Sequence, residues 1–177
     1  MPATNAGAAS DLASQTLLGP DGRQFGLSSL TGPTATVVVF IGNGCPTVRA
    51  YEGRLIAFQT RWLSRGVRVI AVNSNNPFLS PPDTVVEMGK RAHGAGFNFP
   101  YLKDHDSELA KRLGAICTPH AFLFDGALRL VYSGRIDDSR VGDKISSRDL
   151  EDAVAAVVAG RTVSPPRTEP FGCSIVW

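Results

Sequence analysis

The sequence predicts an α/β domain: a mixed central β-sheet flanked by helices, with an N-terminal β-hairpin and an extended C-terminal tail. Three observations predict it. Two apolar, β-branched runs, Thr34 to Ile41 and Val67 to Val72, have the length and texture of strands buried on both faces. Between them Val48, Tyr51, Leu55, Phe58 and Trp62 recur at a helical period, so strand, helix and strand form a right-handed parallel crossover. Further on, Ala121 to Phe124 and Leu128 to Ser133 flank Asp125-Gly126, a hairpin signal that adds antiparallel strands to the sheet.

The elements follow in order. Gln15 to Leu30 reads as a small hairpin around Gly19-Pro20-Asp21-Gly22, because Pro-Asp-Gly presets a turn. The first buried strand is broken by Gly42-Asn43-Gly44. Pro46 then fits the first turn of a helix, where its missing N–H is no loss. Gly66 ends that helix, and the second buried strand follows. Asn73 to Pro82 is a polar, Pro-rich loop long enough to be functional. Thr84 to His93 is a short helix and Phe97 to Leu102 an extended segment. Asp106 to Leu113 is a further helix, with Asp106 or Ser107 as its expected cap. Ser147 to Ala159 is the last helix, capped near Ser147 and closed by Gly160. Three units result: a disordered start over 1–10, one domain over 11–160, and a Pro-rich tail over 161–177 that ends in apolar Ile175-Val176-Trp177.

At 177 residues and 43% hydrophobic, the chain can bury one ordinary core. The net charge of +2 comes from scattered residues, with no basic face of the kind that binds nucleic acid. No apolar run is long enough to cross a bilayer. Met1 to Ser10 lacks the basic and apolar regions of a secretory signal, so a cytoplasmic address is the expectation. Three cysteines in a chain of this length do not make a disulfide scaffold. Each is a buried small hydrophobe or a reactive thiol.

Cys45 is the first candidate for chemistry. It lies where a buried strand turns into a helix, and the N–H groups of a helix start favour a thiolate, which is the nucleophile. Gly42 and Gly44 on either side of Asn43 would let a substrate approach the backbone. Thr118-Pro119 is the second feature. A proline entering a strand suits either a cis peptide or an ordinary trans proline at a strand start.

Strand, Cys-Pro, helix, then Thr-Pro before a hairpin resembles the thioredoxin fold, in which a cis-proline loop lies beside the reactive cysteine. More closely, the chain resembles the peroxiredoxin-like branch of the alkyl hydroperoxide reductase and thiol-specific antioxidant (AhpC/TSA) superfamily. Asn43-Gly44-Cys45-Pro46, Val72 to Asn75, Phe99 to Leu102, Cys117-Thr118-Pro119, Phe122 to Asp125, Tyr132 to Asp138 and the ending Gly172 to Ile175 carry the likeness. The chain departs from true peroxiredoxins at three places. Gly42 and Val38 stand where those carry a Thr or Ser and a Pro, and Pro119 falls near their catalytic arginine. Val48 stands where thioredoxins carry a second cysteine.

The resemblance implies a thiol-dependent redox protein. Cys45 would be the nucleophile toward a peroxide or a disulfide, and Cys117, in the loop facing the helix start, the expected resolving partner. Asn43, Gly44, Pro46, Thr118 and Pro119 would shape the site; Arg135 would either shape it or sit in a surface ion pair, the two readings standing level. Cys173, in the tail, could reach back as a resolving thiol, bond to another molecule, or pack with Trp177, and packing is the expectation. The departures favour weak peroxide reduction or thiol exchange over fast antioxidant scavenging. The implied partner is a thiol reductant, thioredoxin-like or of low molecular weight, and no cofactor is implied. Two alternatives stand beside this reading. One is a copper- or zinc-binding module using Cys45, Cys117 and His120. The other is a binding domain whose redox chemistry has lapsed.

Overall fold

The computed structural model describes Gly7 and residues 12–177. The expectation of a disordered start over 1–10 lies, apart from Gly7, outside the described residues. A seven-stranded sheet runs in the order β2-β1-β5-β4-β3-β7-β8. Its centre is β3 (Ala35–Phe40), parallel to β4 (Val67–Asn73) on one side and antiparallel to β7 (His120–Asp125) on the other. All six residues of β3 are buried, as a β-branched run without polar alternation demands. Helix α1 (Pro46–Trp62) makes the crossover from β3 to β4. The N-terminal hairpin pairs β1 (Thr16–Leu18) with β2 (Gln24–Gly26), and Gly22 at φ +82° closes the Pro-Asp-Gly turn. β5 (Tyr101–Lys103) links the hairpin to β4. β8 (Leu130–Gly134) forms the opposite edge. The expected mixed sheet, hairpin and flanking helices are therefore all present.

Alternation along the strands sorts two cores. Val37, Val39, Val69, Ala71, Ala121 and Leu123 face α1 and α4 (Asp149–Val158), together with Met88 of α2 (Val85–Ala95). Val38, Phe40, Ile70, Val72, Phe122 and Phe124 face the other way, onto Leu17, Leu27 and the short α3 (Glu108–Leu113). Ile175 of the C-terminal tail belongs to this second core.

Three local expectations are corrected. The α3 start is capped by neither Asp106 nor Ser107. The carboxylate of Asp104 accepts from Leu109 N and Ala110 N at 3.2 and 3.0 Å, because Ser107 adopts a left-handed φ of 57° and is used elsewhere. Helix α4 begins at Asp149 without a side-chain cap from Ser147. The β7–β8 turn is wider than Asp-Gly alone requires. Asp125 Oδ1 accepts from Ala127 N and Arg129 N, Leu128 turns at φ 58°, and the returning strand starts only at Leu130.

Two short strands escape sequence reading altogether. β6 (Cys117–Thr118) pairs antiparallel with β9 (Cys173–Ser174), far along the tail. Neither two-residue segment has a periodicity to read; each exists only because the other is there.

Phe122 is buried in the second core and packs edge-on against Phe40, with ring centroids 5.7 Å apart. Phe122→Ala should cost about 3–5 kcal/mol, read as a lower urea midpoint at an unchanged m-value.

Candidate functional site

Cys45 is the N-cap of α1, with extended backbone (φ −83°, ψ 115°) and Pro46 at the first helical position. Val48 N, an N–H left free by the helix start, points at Cys45 Sγ from 3.4 Å. The first turn of α1 carries no acidic residue to oppose a thiolate. The Thr118–Pro119 peptide is cis, and the Thr118 carbonyl oxygen lies 3.3 Å from the same sulfur. The cis-proline loop and the helix start thus meet at Cys45, as the resemblance implies.

The disulfide partner differs from the expectation. Cys45 is bonded to Cys173, across a sequence separation of 128 and a Cα–Cα distance of 6.0 Å that suits a disulfide. Cys117 is free and buried. The β6–β9 register gives the reason. Thr118 stands directly opposite Cys173, and opposed residues of an antiparallel pair project to the same face. That face looks onto Cys45. Cys117 is one residue out of phase, so its side chain turns away. Its Sγ rests 3.8 Å from the Pro119 carbonyl oxygen. Burial, with a smaller push from Glu169, raises the Cys117 thiol to about 11, so it holds its proton at neutral pH. Cys173 does not pack on Trp177 either. That ring is half exposed under Lys111, whose Nζ lies 5.5 Å from its centroid.

The tail reaches Cys45 by a defined path. Thr168 N donates to Ser133 O, and its hydroxyl bonds Tyr132 and Arg135 N. Phe171 meets Tyr51 edge-on at 6.4 Å. Gly172, at φ +154°, passes so close to β6 that a Cβ there would lie 1.9 Å from Thr118 O. Beyond Cys173, Val176 N donates to Asn75 Oδ1 and Asn76 N donates to Val176 O.

Both sides of the disulfide rest on one buried network. Asp83 accepts from Asn43 N and Asn73 Nδ2 at 2.7 Å each, from Asn75 Nδ2 at 3.0 Å and from Ser80 Oγ at 2.5 Å. Burial alone would raise the Asp83 carboxyl, but these four donors outweigh it and lower it below the usual carboxylate range. Asn43 also donates to Pro82 O and accepts from Tyr101 Oη and Arg49 Nε. Lys103, fully buried, donates to Asn73 Oδ1, Asn75 O and Asp83 O.

The remaining expected site residues fall as follows. Asn43 anchors the loop before Cys45. Gly42 is demanded by packing rather than by substrate, since a Cβ there would lie 2.5 Å from Asn75 Nδ2; Gly44 faces open space. Arg135 does not approach the cysteines. Its guanidinium is held by Asp149 at the start of α4, with Nε to Oδ2 at 2.7 Å. His120 Nδ1 accepts from Ile116 N, and the ring lies 4.4 Å from that of Phe122. Among the described residues no three His, Cys, Asp or Glu side chains are grouped to hold a metal ion, so Cys45, Cys117 and His120 do not form the alternative metal site. Also among the described residues, no helix is long and apolar enough to cross a membrane.

Sequence reasoning ranked Cys173 behind Cys117 as the resolving thiol, and missed the parts that Gly172, Asn75 and Asp83 play. A Gly immediately before a Cys in the tail was the available signal, because it marks a backbone that must approach another closely.

Comparisons with known proteins agree with the fold. The family model described as AhpC/TSA family matches residues 8–133. A hypothetical protein of Sinorhizobium meliloti 1021 is 36% identical, with a TM-score of 0.88, over 100% of this chain and 94% of its own. An uncharacterized conserved protein of Geobacillus kaustophilus is also 36% identical, with a TM-score of 0.86, over 92% of this chain and 87% of its own. A secreted disulfide oxidoreductase of Mycobacterium tuberculosis, 17% identical, shares the fold at a TM-score of 0.61 over 85% of this chain and 98% of its own. No curated protein matches.

Two outcomes are expected. His120 is pulled down to about 4 by burial first and by Arg167 second. The unfolded chain therefore binds a proton between about pH 6.5 and 4 that the folded chain refuses. Stability should fall with pH across that window, by up to about 1.4 kcal/mol per pH unit from this group. Urea titrations at several pH values should show that slope, and His120→Gln should remove its share. Gly172→Ala should strain the tail against Thr118. At ~1.4 kcal/mol per tenfold, strain of about 1–3 kcal/mol should cut Cys45–Cys173 pairing in a thiol buffer by about fivefold to a hundredfold, read by peptide mapping.

Proposed function

The chain belongs to the AhpC/TSA family, and we propose that within it the protein is a thiol–disulfide redox protein with Cys45 as nucleophile and Cys173 as resolving thiol. The observation that carries the reading is the Cys45–Cys173 bond at the start of α1. A cysteine capping a helix, with Val48 N–H aimed at its sulfur, is built to leave and attack as a thiolate.

The cycle balances. The Cys45 thiolate attacks one sulfur of a substrate disulfide, a mixed disulfide forms, and the second substrate sulfur leaves as a thiolate. Cys173, deprotonated, then attacks Cys45 Sγ. The intramolecular bond closes and the first substrate sulfur is released. The protein has lost two electrons and the substrate has gained them. A peroxide enters the same cycle as a slower substrate: Cys45 becomes a sulfenic acid with loss of an alcohol or water, and Cys173 condenses with it, releasing water. Gly42, in place of a hydroxyl-bearing residue, supports disulfide exchange as the faster arm. A cellular thiol, either a dithiol protein or a small thiol, resets the pair. In a reducing compartment such as the cytoplasm, a disulfide of this kind is transient and catalytic rather than a staple.

The test is peptide-mapped mass spectrometry of the reduced protein after one equivalent of hydrogen peroxide or of oxidised glutathione. A Cys45–Cys173 link should form in the wild type and in Cys117→Ala. Cys173→Ser should instead leave Cys45 as a sulfenic acid or a mixed disulfide. A Cys45 that stays a free thiol with both oxidants would sink the proposal.

A further inference from the structure

A cavity of about 330 Å³ lies beside β7 and β8, on the face of the second core. Its apolar lining is Leu113 and Ile116 around the end of α3, Phe122 of β7, Leu130 of β8 and Pro170 of the tail. Ile116 is left 58% exposed. Three hydrogen-bond donors share the same lining: His120, Ser133 and Arg167.

Two of these donors are deeply buried and unused. His120 is 5% exposed and Ser133 8%. His120 Nδ1 accepts from Ile116 N at 3.3 Å, so the neutral ring carries its proton on Nε2. Burial keeps that ring neutral at pH 7. Among the described residues, neither His120 Nε2–H nor the Ser133 hydroxyl has a hydrogen-bond partner. Buried donors are normally paired, so two on one wall call for an acceptor. Neither is sealed in, since the fully enclosed side-chain atom without a partner is Thr118 Oγ1. Both are therefore reached from the cavity. Arg167 forms no ion pair among the described residues, Glu169 included.

Two neutral donors and one guanidinium match a group with two acceptor oxygens and a single negative charge. Glu169, in the same lining, opposes a second charge. That argues against a dianion such as phosphate. The apolar lining calls for a body without polar groups, and the volume sits at the small end of ligand cavities, about 300–1,000 Å³.

We propose that this cavity binds a small monocarboxylate with an aryl or branched-alkyl body, its carboxylate taken by His120, Ser133 and Arg167 and its body seated on Leu113, Ile116, Phe122 and Leu130. The site is separate from the redox pair, because neither Cys45 nor Cys173 lines it. Arg167 to Pro170 belong to the tail that leads to Cys173, so the ligand joins β7 and β8 to that tail.

The experiment is a titration of the full oxidised chain with phenylacetate and with 4-methylpentanoate, followed by NMR of the histidine rings. His120→Gln assigns the signal. The His120 ring resonances should move with a Kd on the order of 1 mM or tighter, while those of His93 and His105 stay. 2-Phenylethanol, which lacks the carboxylate, and inorganic phosphate, which lacks the body, should each bind about tenfold more weakly or worse. Arg167→Met, at an exposed side chain, and Ser133→Ala keep His120 as the reporter, and each should weaken phenylacetate by about tenfold. Should Ser133→Ala not fold, Arg167→Met carries the test. His120 signals that stay still at about 20 mM of both carboxylates overturn the proposal. So does a Kd that Arg167→Met leaves unchanged, or phenylethanol or phosphate binding as tightly as phenylacetate.

Discussion

A carboxylate buried away from water has to be saturated with donors, and Asp83 is the point from which both arms of this site are held. Its oxygens take the backbone N–H of Asn43, two residues before Cys45, and the side-chain amide of Asn75, whose carbonyl oxygen in turn holds Val176 of the tail. Without donors the charge would be expensive in this environment. With four, it is a rigid clamp at the C-terminal ends of β3 and β4, and the loops after these two strands carry the site. Lys103 reinforces the clamp from β5 by spending all three ammonium hydrogens on Asn73, Asn75 and Asp83. The clamp therefore couples the position of Cys45 to the seat of the chain terminus.

The tail depends on that seat. Residues 172–176 bury little surface besides Ile175, and the β6–β9 ladder is two residues long. The segment is held by a few backbone bonds, one buried isoleucine and the disulfide itself. Such a segment belongs to the low-stability end of a fold, where opening is local. A covalent bond between a rigid helix cap and a lightly held tail is a bond that can be made and broken without disturbing either core. This separates Cys173 from Cys117. Cys117 lies under the loop with its thiol kept protonated by burial, and its chemistry is that of a small apolar residue.

Much of the fold was legible before any coordinates. The β-branched runs of β3 and β4, the helical period through Tyr51, Leu55 and Phe58, and the Pro-Asp-Gly turn are local signals, and they placed the elements within a few residues. Cys45 before Pro46 and Thr118 before Pro119 were legible for the same reason: a helix cap and a strand entry are written in neighbouring residues. The caps that failed, at α3 and α4, failed because local spacing shows neither that Asp104 reaches the α3 start through packing nor that α4 starts with no side-chain cap.

The sequence by itself determined the sheet, the crossover helix, the nucleophile candidate and the family likeness, since each follows from periodicity or from a contiguous motif. Tertiary structure decided which thiol faces Cys45, that Gly42 yields to Asn75 rather than to a substrate, that Arg135 serves a helix end, and that His120 and Ser133 line one cavity. Pairing across 128 residues turns on a one-residue register, and strand alternation makes that register a choice between faces. No local pattern in either strand carries that choice; only the assembled cores, which fix where the tail can lie, supply it.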